Sequence, residues 1–118
     1  SAASDVYKRQ ANTIFLPWGM ENNLEKAGQF IAELAPHLRA ETSSEDKMER
    51  ARAAIEAVRK LRRRLHDISG MPITLKEAGV KEDQLETIAK AAIDDGALTY
   101  NPEDVTFEDA LELVRKAF

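Results

Sequence analysis

Apolar residues recur along most of this chain at intervals of three and four. The clearest run is Met48, Ala51, Ile55, Val58, Leu61, Leu65 and Ile68. Such spacing returns each side chain to one face of an α-helix. It predicts a long helix over 44–69. Ser43 or Ser44 is placed to cap its start, and Glu45 and Asp46 suit the first turn. Gly70 is placed to end it, and Pro72 keeps it from resuming. On this reading Leu61 and Leu65 face inward.

The same period continues on both sides. Leu24, Ala27, Phe30, Ile31 and Leu34 make one helical face. Thr74 and Glu77 stand in the capping-box relation, opening a short turn that Gly79 closes. Leu85, Ile88, Ala89, Ala92 and Ile93 predict a helix within 82–95, with Gly96 as its stop. Asn101-Pro102 marks a turn. Thr106 then caps a last helix carrying Phe107, Ala110, Leu111, Leu113, Val114 and Phe118. Thr13 to Met20 is apolar but contains Pro17, which predicts a short or kinked helix at best. No run alternates strictly between apolar and polar, so no strand is expected. The fold class is all-α, a bundle of about five helices.

Composition narrows this little. With 118 residues, 43% hydrophobic and 32% charged, the chain suits one globular domain. It has no cysteine, which excludes disulfides and thiolate metal sites and suits a reducing cytoplasm. Its formal net charge of −4 lacks the basic excess of a nucleic-acid binder. The longest apolar run, Ile14 to Trp18, is far too short to span a membrane.

Candidate chemistry is sparse. His37 and His66 are well separated and form no paired metal-ligand pattern, so both read as surface histidines. Asp94 and Asp95 read as solvated charge at a helix end. Arg59 to Arg64 is the basic cluster. It reads as a solvated face paired with Glu49 and Glu56, or else as a phosphate-binding patch. Trp18 reads as a packing residue. Ile14, Phe15, Leu16 and Trp18 together are expected to form an apolar patch that needs a partner. No phosphate-binding loop, dinucleotide fingerprint or nucleophile elbow occurs.

Four segments, taken in order, resemble the iron-containing, metal-dependent alcohol dehydrogenases. Ala11, Asn12, Ile14, Leu16, Pro17, Met20 and Asn23 match a pattern close to ANAILLPHVMxFN. Ile68 to Val80 is similar to a Gly-Ile-Pro segment ending in Leu-Gly-Val. Ala89 to Pro102 is similar to a stretch ending in Asn-Pro-Arg, and Thr106-Phe-Glu-Asp-Ala110 to a closing Thr-Leu-Glu-Asp-Ile helix. The resemblance spans 11–118. Ala97 stands where many members have Cys, Glu103 where many have Arg, and Trp18 where a non-ligand His is common.

This resemblance implies an N-terminal dinucleotide-binding domain and a C-terminal helical domain. Between them a divalent metal, iron or zinc, sits on one aspartate and three histidines. It polarises the alcohol or aldehyde oxygen while NAD(P) exchanges hydride. The family's last metal histidine precedes the first motif, and its place falls on Lys8, with the following glycine's on Arg9. Asp5 to Gln10 can be encoded by codons resembling a transposon end used in sequencing libraries. Residues 1–10 are therefore expected to be a non-native scar, and 11–118 a truncated C-terminal helical domain.

The resulting expectation is a fragment of an NAD(P)-linked oxidoreductase. The fragment is expected to hold no metal, cofactor or catalytic residue and to be inactive alone. The parent would be a cytoplasmic homo-oligomer carrying iron or zinc and NAD(P), with no membrane or nucleic-acid partner. The alternative is a self-contained helical module that uses the basic helix 59–64 to bind an acidic partner or RNA.

Overall fold

The computed structural model describes residues 2–118, the side chains at positions 3 and 4 excepted. Ser1, the first residue of the expected scar, lies outside the described residues. There are five α-helices and no strand among them: α1 (Ala2–Asn22), α2 (Leu24–Glu33), α3 (Lys47–Ser69), α4 (Leu85–Ile93) and α5 (Phe107–Lys116). Short 3₁₀ turns precede α4 at Glu82–Gln84 and follow it at Gly96–Tyr100. The all-α expectation holds.

The helices form two pairs. α2 packs along α3, and α4 along α5. Each pair encloses its own core. Ile31, Ala32, Ala35, Ala51, Ala54 and Ile55 bury the first. Leu75, Leu85, Ala89, Ala110, Val114 and Ala117 bury the second, together with Ile14 from α1. Helix α1 touches α2, α3 and α5 and so joins the pairs. Small residues dominate the α2–α3 seam, which lets the backbones come close. At Gly28 a Cβ would stand 2.8 Å from Met48 Sδ.

The capping chemistry differs in detail from expectation. Asp46, rather than Ser43 or Ser44, caps α3, accepting a 2.9 Å bond from the Glu49 N–H. Ser44 instead accepts from the Asp46 N–H at 3.1 Å. Gly70 ends the helix in the left-handed region at φ 70°, its N–H donating to His66 O. A longer carboxylate closer to the first apolar turn reaches the N3 amide that the serines cannot. Asp95 is not loose charge: it caps the 3₁₀ turn by accepting from Ala97 N–H at 2.8 Å. Thr106 and Asp109 form the expected reciprocal box on α5. The Thr74–Gly79 turn docks on α5 through Leu75 N–H to Ala117 O, 2.8 Å, which satisfies one of the helix's terminal carbonyls.

Helix α1 is longer than the short or kinked helix expected around Pro17. It runs unbroken through Pro17, over 21 residues. The reason lies in α3.

Candidate functional site

Proline in a helix interior removes one backbone donor and presses on the carbonyl four residues earlier. For Pro17 that carbonyl belongs to Thr13. Here the donor is replaced from outside the helix. Arg62, on α3, points its Nη1 at Ile14 O, 2.9 Å away, and at Thr13 O, 3.5 Å away. Pro17 itself is buried. The apolar ring fills space against the core while a guanidinium serves the carbonyls it disturbs. Burial, then the nearby Arg59 and Arg63 charges, lower the Arg62 pKa from its usual very basic value, and Glu77 opposes them. The Arg62 Nε is buried and has no hydrogen-bond partner.

One turn earlier on α3, Arg59 lies over the Trp18 ring, with Cζ 5.0 Å from the ring centre. Its two Nη atoms bind Glu21 at 2.9 Å and Glu56 at 2.7 Å. Glu56 is the partner that the i,i+3 spacing pointed to. Trp18 also packs against the core around Ile14. Two cations of the basic cluster are thus held within the molecule, and Lys60 pairs with Glu41 at 3.4 Å. Among the described residues, Arg63 and Arg64 form no ion pair.

The apolar segment Ile14 to Trp18 does not form the exposed patch expected of it. Ile14 is buried, and Phe15 and Trp18 turn onto the core. Leu16 alone of the four stays exposed. Other apolar side chains are open, among them Phe30 on α2 and, on the far half of α3, Leu61 and Leu65, which face outward rather than inward. Helix α2 has only 10 residues against the 23 of α3 and does not cover them.

Two asparagines from different motifs meet. Asn23 sits at the joint between α1 and α2, and Asn101 follows the 3₁₀ turn. Their side-chain amides exchange two bonds of 2.9 Å. Asn101 Nδ2 also donates to Glu103 O at 2.7 Å. Beside them Lys26 and Glu103 form a 3.3 Å ion pair, in which the glutamate is largely buried. Its other oxygen is without a partner. The sequence marked both asparagines as motif residues but carried no sign that they pair.

His37 is exposed, as expected. His66 is not a free surface histidine. Its Nδ1 lies 2.7 Å from Met71 O and 3.4 Å from Glu77, tying the end of α3 to the docked turn.

No three His, Cys, Asp or Glu side chains converge as a metal-binding group among the described residues. The implied metal place, Lys8, is an exposed residue of α1 followed by Arg9. An ammonium has no lone pair to offer a metal, and a neighbouring guanidinium repels one. These residues do not fit a divalent cation. Clefts also open among the described residues. The one beside Trp18, Glu21 and Asp109 has about 120 Å³, below the roughly 300 Å³ at which small-molecule sites begin. A larger depression of about 540 Å³ on α4 and α5 is lined by Glu82, Asp83 and Glu86 on one side and by Arg115 and Phe118 on the other. No helix among the described residues is long and apolar enough to cross a membrane.

Comparison with known proteins places this fold. The model of the Fe-containing alcohol dehydrogenase family, C-terminal, matches residues 1–118. Lactaldehyde reductase of Escherichia coli (strain K12) is 33% identical over 108 residues, covering 92% of this chain and 27% of that protein. Alcohol dehydrogenase 4 of Saccharomyces cerevisiae (strain ATCC 204508 / S288c) is 33% identical over 109 residues, 91% of this chain and 26% of that one. The crystal structure of a 1,3-propanediol oxidoreductase superposes with a TM-score of 0.81 at 28% identity, covering 92% of this chain and 28% of that chain. The chain thus spans about 27% of the length of the curated relatives it matches first. It belongs to the iron-containing alcohol dehydrogenase family, as part of that family's C-terminal helical domain.

Proposed function

We propose that this chain is the C-terminal helical portion of an NAD(P)-linked oxidoreductase that interconverts an alcohol with an aldehyde or ketone. The whole enzyme would carry iron or zinc, act in the cytoplasm and assemble as a homo-oligomer. Its dinucleotide-binding domain and metal ligands would belong to polypeptide outside this chain. The carrying observation is the family match over residues 1–118. The names of the relatives, lactaldehyde reductase among them, support a small alcohol or aldehyde as substrate.

The chain by itself is inactive on this reading, because hydride transfer needs a cofactor and a Lewis acid positioned against the substrate. The test has two arms. Purified chain, supplied with NADH, iron(II) and lactaldehyde, should give no turnover above blank. A chimera in which the chain replaces the matching portion of Escherichia coli lactaldehyde reductase should bind NADH. Turnover by the chain alone overturns the inactivity. A folded chimera blind to NADH overturns the assignment to the enzyme.

We further read residues 1–10 as foreign to the parent gene, on the codon resemblance alone. Sequencing the source DNA upstream of the Ala11 codon decides this. A histidine codon three places before Ala11 supports it, and genomic SAASDVYKRQ refutes it.

A further inference from the structure

The apolar stripe of α3 outruns its cover. Its first half is buried against α2 through Ala51, Ala54 and Ile55. The stripe then continues as Leu61, Leu65 and Ile68, which are 51%, 43% and 74% exposed. Spacings of four and three put these three side chains on one face, stacked over two turns. An isolated exposed leucine needs no explanation, but an aligned row continuing a buried seam does. The edge of the row is cationic. Arg64 borders it and is unpaired among the described residues, unlike Arg59 and Lys60 on the same helix.

We propose that Leu61, Leu65 and Ile68 form the surface on which the polypeptide preceding this segment in the enzyme docks. The facing surface would be apolar and carry a carboxylate at its margin to meet Arg64. This rests on the reading of the chain as part of a larger oxidoreductase. The matched family domain is C-terminal, and the chain spans 27% of lactaldehyde reductase and 28% of the 1,3-propanediol oxidoreductase chain. Most of such an enzyme therefore precedes these helices and supplies a covering surface. Three side chains per copy are too few for a stable interface between copies of this chain, since specific interfaces bury on the order of 800 Å² per partner.

The absence of native cysteine makes the row easy to probe. Leu65→Cys and Ile68→Cys are labelled with a maleimide in the chain alone and in the lactaldehyde reductase chimera, and the labelled peptide is quantified by mass spectrometry. The expected result is rapid labelling in the chain alone and roughly tenfold slower labelling in the chimera, restored by urea. An NADH-binding chimera whose introduced thiols react as fast as in the chain alone overturns the docking and leaves the enzyme assignment standing. A folded chimera that does not bind NADH removes both. Labelling of the chain alone that slows as its concentration rises assigns the row to a second copy and overturns the proposal. A second variant guards against a chimera that does not fold. Leu65→Glu with Ile68→Glu in the chain alone should leave helicity and the melting midpoint nearly unchanged. A collapse of either shows that the row is packed within the chain, and the proposal fails.

Discussion

Asn23 and Asn101 stand 78 positions apart and hold each other by two amide bonds of 2.9 Å. The pair ties the α1–α2 joint to the loop before α5, where the Asn101-Pro102 turn follows the 3₁₀ segment. Part-buried amides left without partners lose the full desolvation cost, whereas a matched pair loses little. Asn23→Ala should therefore destabilise the chain by about 1–3 kcal/mol. Asn101→Ala should cost at least as much, because it also abandons Glu103 O. The double variant should cost clearly less than the sum. Urea denaturation of the four proteins measures this, and strict additivity would rule out the coupling.

The link between Arg62 and Pro17 makes a sharper prediction. Arg62→Met keeps the aliphatic stem but withdraws the donor from Thr13 O and Ile14 O. A loss of about 1–3 kcal/mol is expected, because Thr13 O is left without a donor and Ile14 O loses its bond from Arg62. In a Pro17→Ala background the new backbone N–H can bind Thr13 O, so the same substitution should cost less. A coupling energy above about 0.5 kcal/mol in the double-mutant cycle is the expected reading. Equal costs in both backgrounds would mean that Arg62 acts only through packing.

Acid should loosen α5 first at its start. The backbone N–H of Thr106, then its hydroxyl, hold the Asp109 carboxyl below the ordinary aspartate range, with a smaller opposing effect of burial. A carboxyl more acidic when folded stabilises the fold fully above its unfolded pKa. That contribution is lost as pH falls through the folded value. The protection of the Ala110 to Leu113 amides against exchange, relative to the unfolded chain at the same pH, should fall in acid. In Asp109→Asn, which accepts the same bonds but does not titrate, this acid sensitivity should vanish. Its persistence there would assign it to other groups.

Arg39 occupies the left-handed region at φ 53°, in the turn that follows α2. Ala40 N–H closes that turn onto Ala35 O at 2.9 Å. Glycine adopts this conformation without the Cβ clash. Arg39→Gly should raise stability by about 0.5–1 kcal/mol, the relief exceeding the added entropy of the unfolded chain. A drop in the urea midpoint would show that the arginine side chain supports the turn.

Helix faces and stops were legible where one residue's own chemistry decides them. The periodic rows marked α2 to α5, and Gly70 and Thr106 ended and began helices where their backbone and hydroxyl require. What escaped was whatever a distant residue supplies. Pro17 alone argues for a short or kinked helix, and Arg62, far along the chain, helps a long one to form. The row from Met48 to Ile68 looks uniformly buried, yet periodicity does not reveal how long the covering helix is. Leu61 and Leu65 are exposed because α2 stops short. The candidate site was legible mainly as a motif, since Asn23 and Asn101 carried the family pattern while their pairing is a product of three-dimensional closure.

Helix α1 gives Ile14 to the core around α4 and α5, and Met20 to the one between α2 and α3. The two cores share no buried residue. Cooperativity between the halves thus passes through α1 and through a few polar ties, the Asn23–Asn101 and Lys26–Glu103 pairs and the His66 contacts with the docked turn. Loosening α1 would leave only those polar ties between the pairs, and one melting event would broaden toward two. A substitution at Pro17 or Arg62 would then be felt less as a weaker protein than as a less unanimous one.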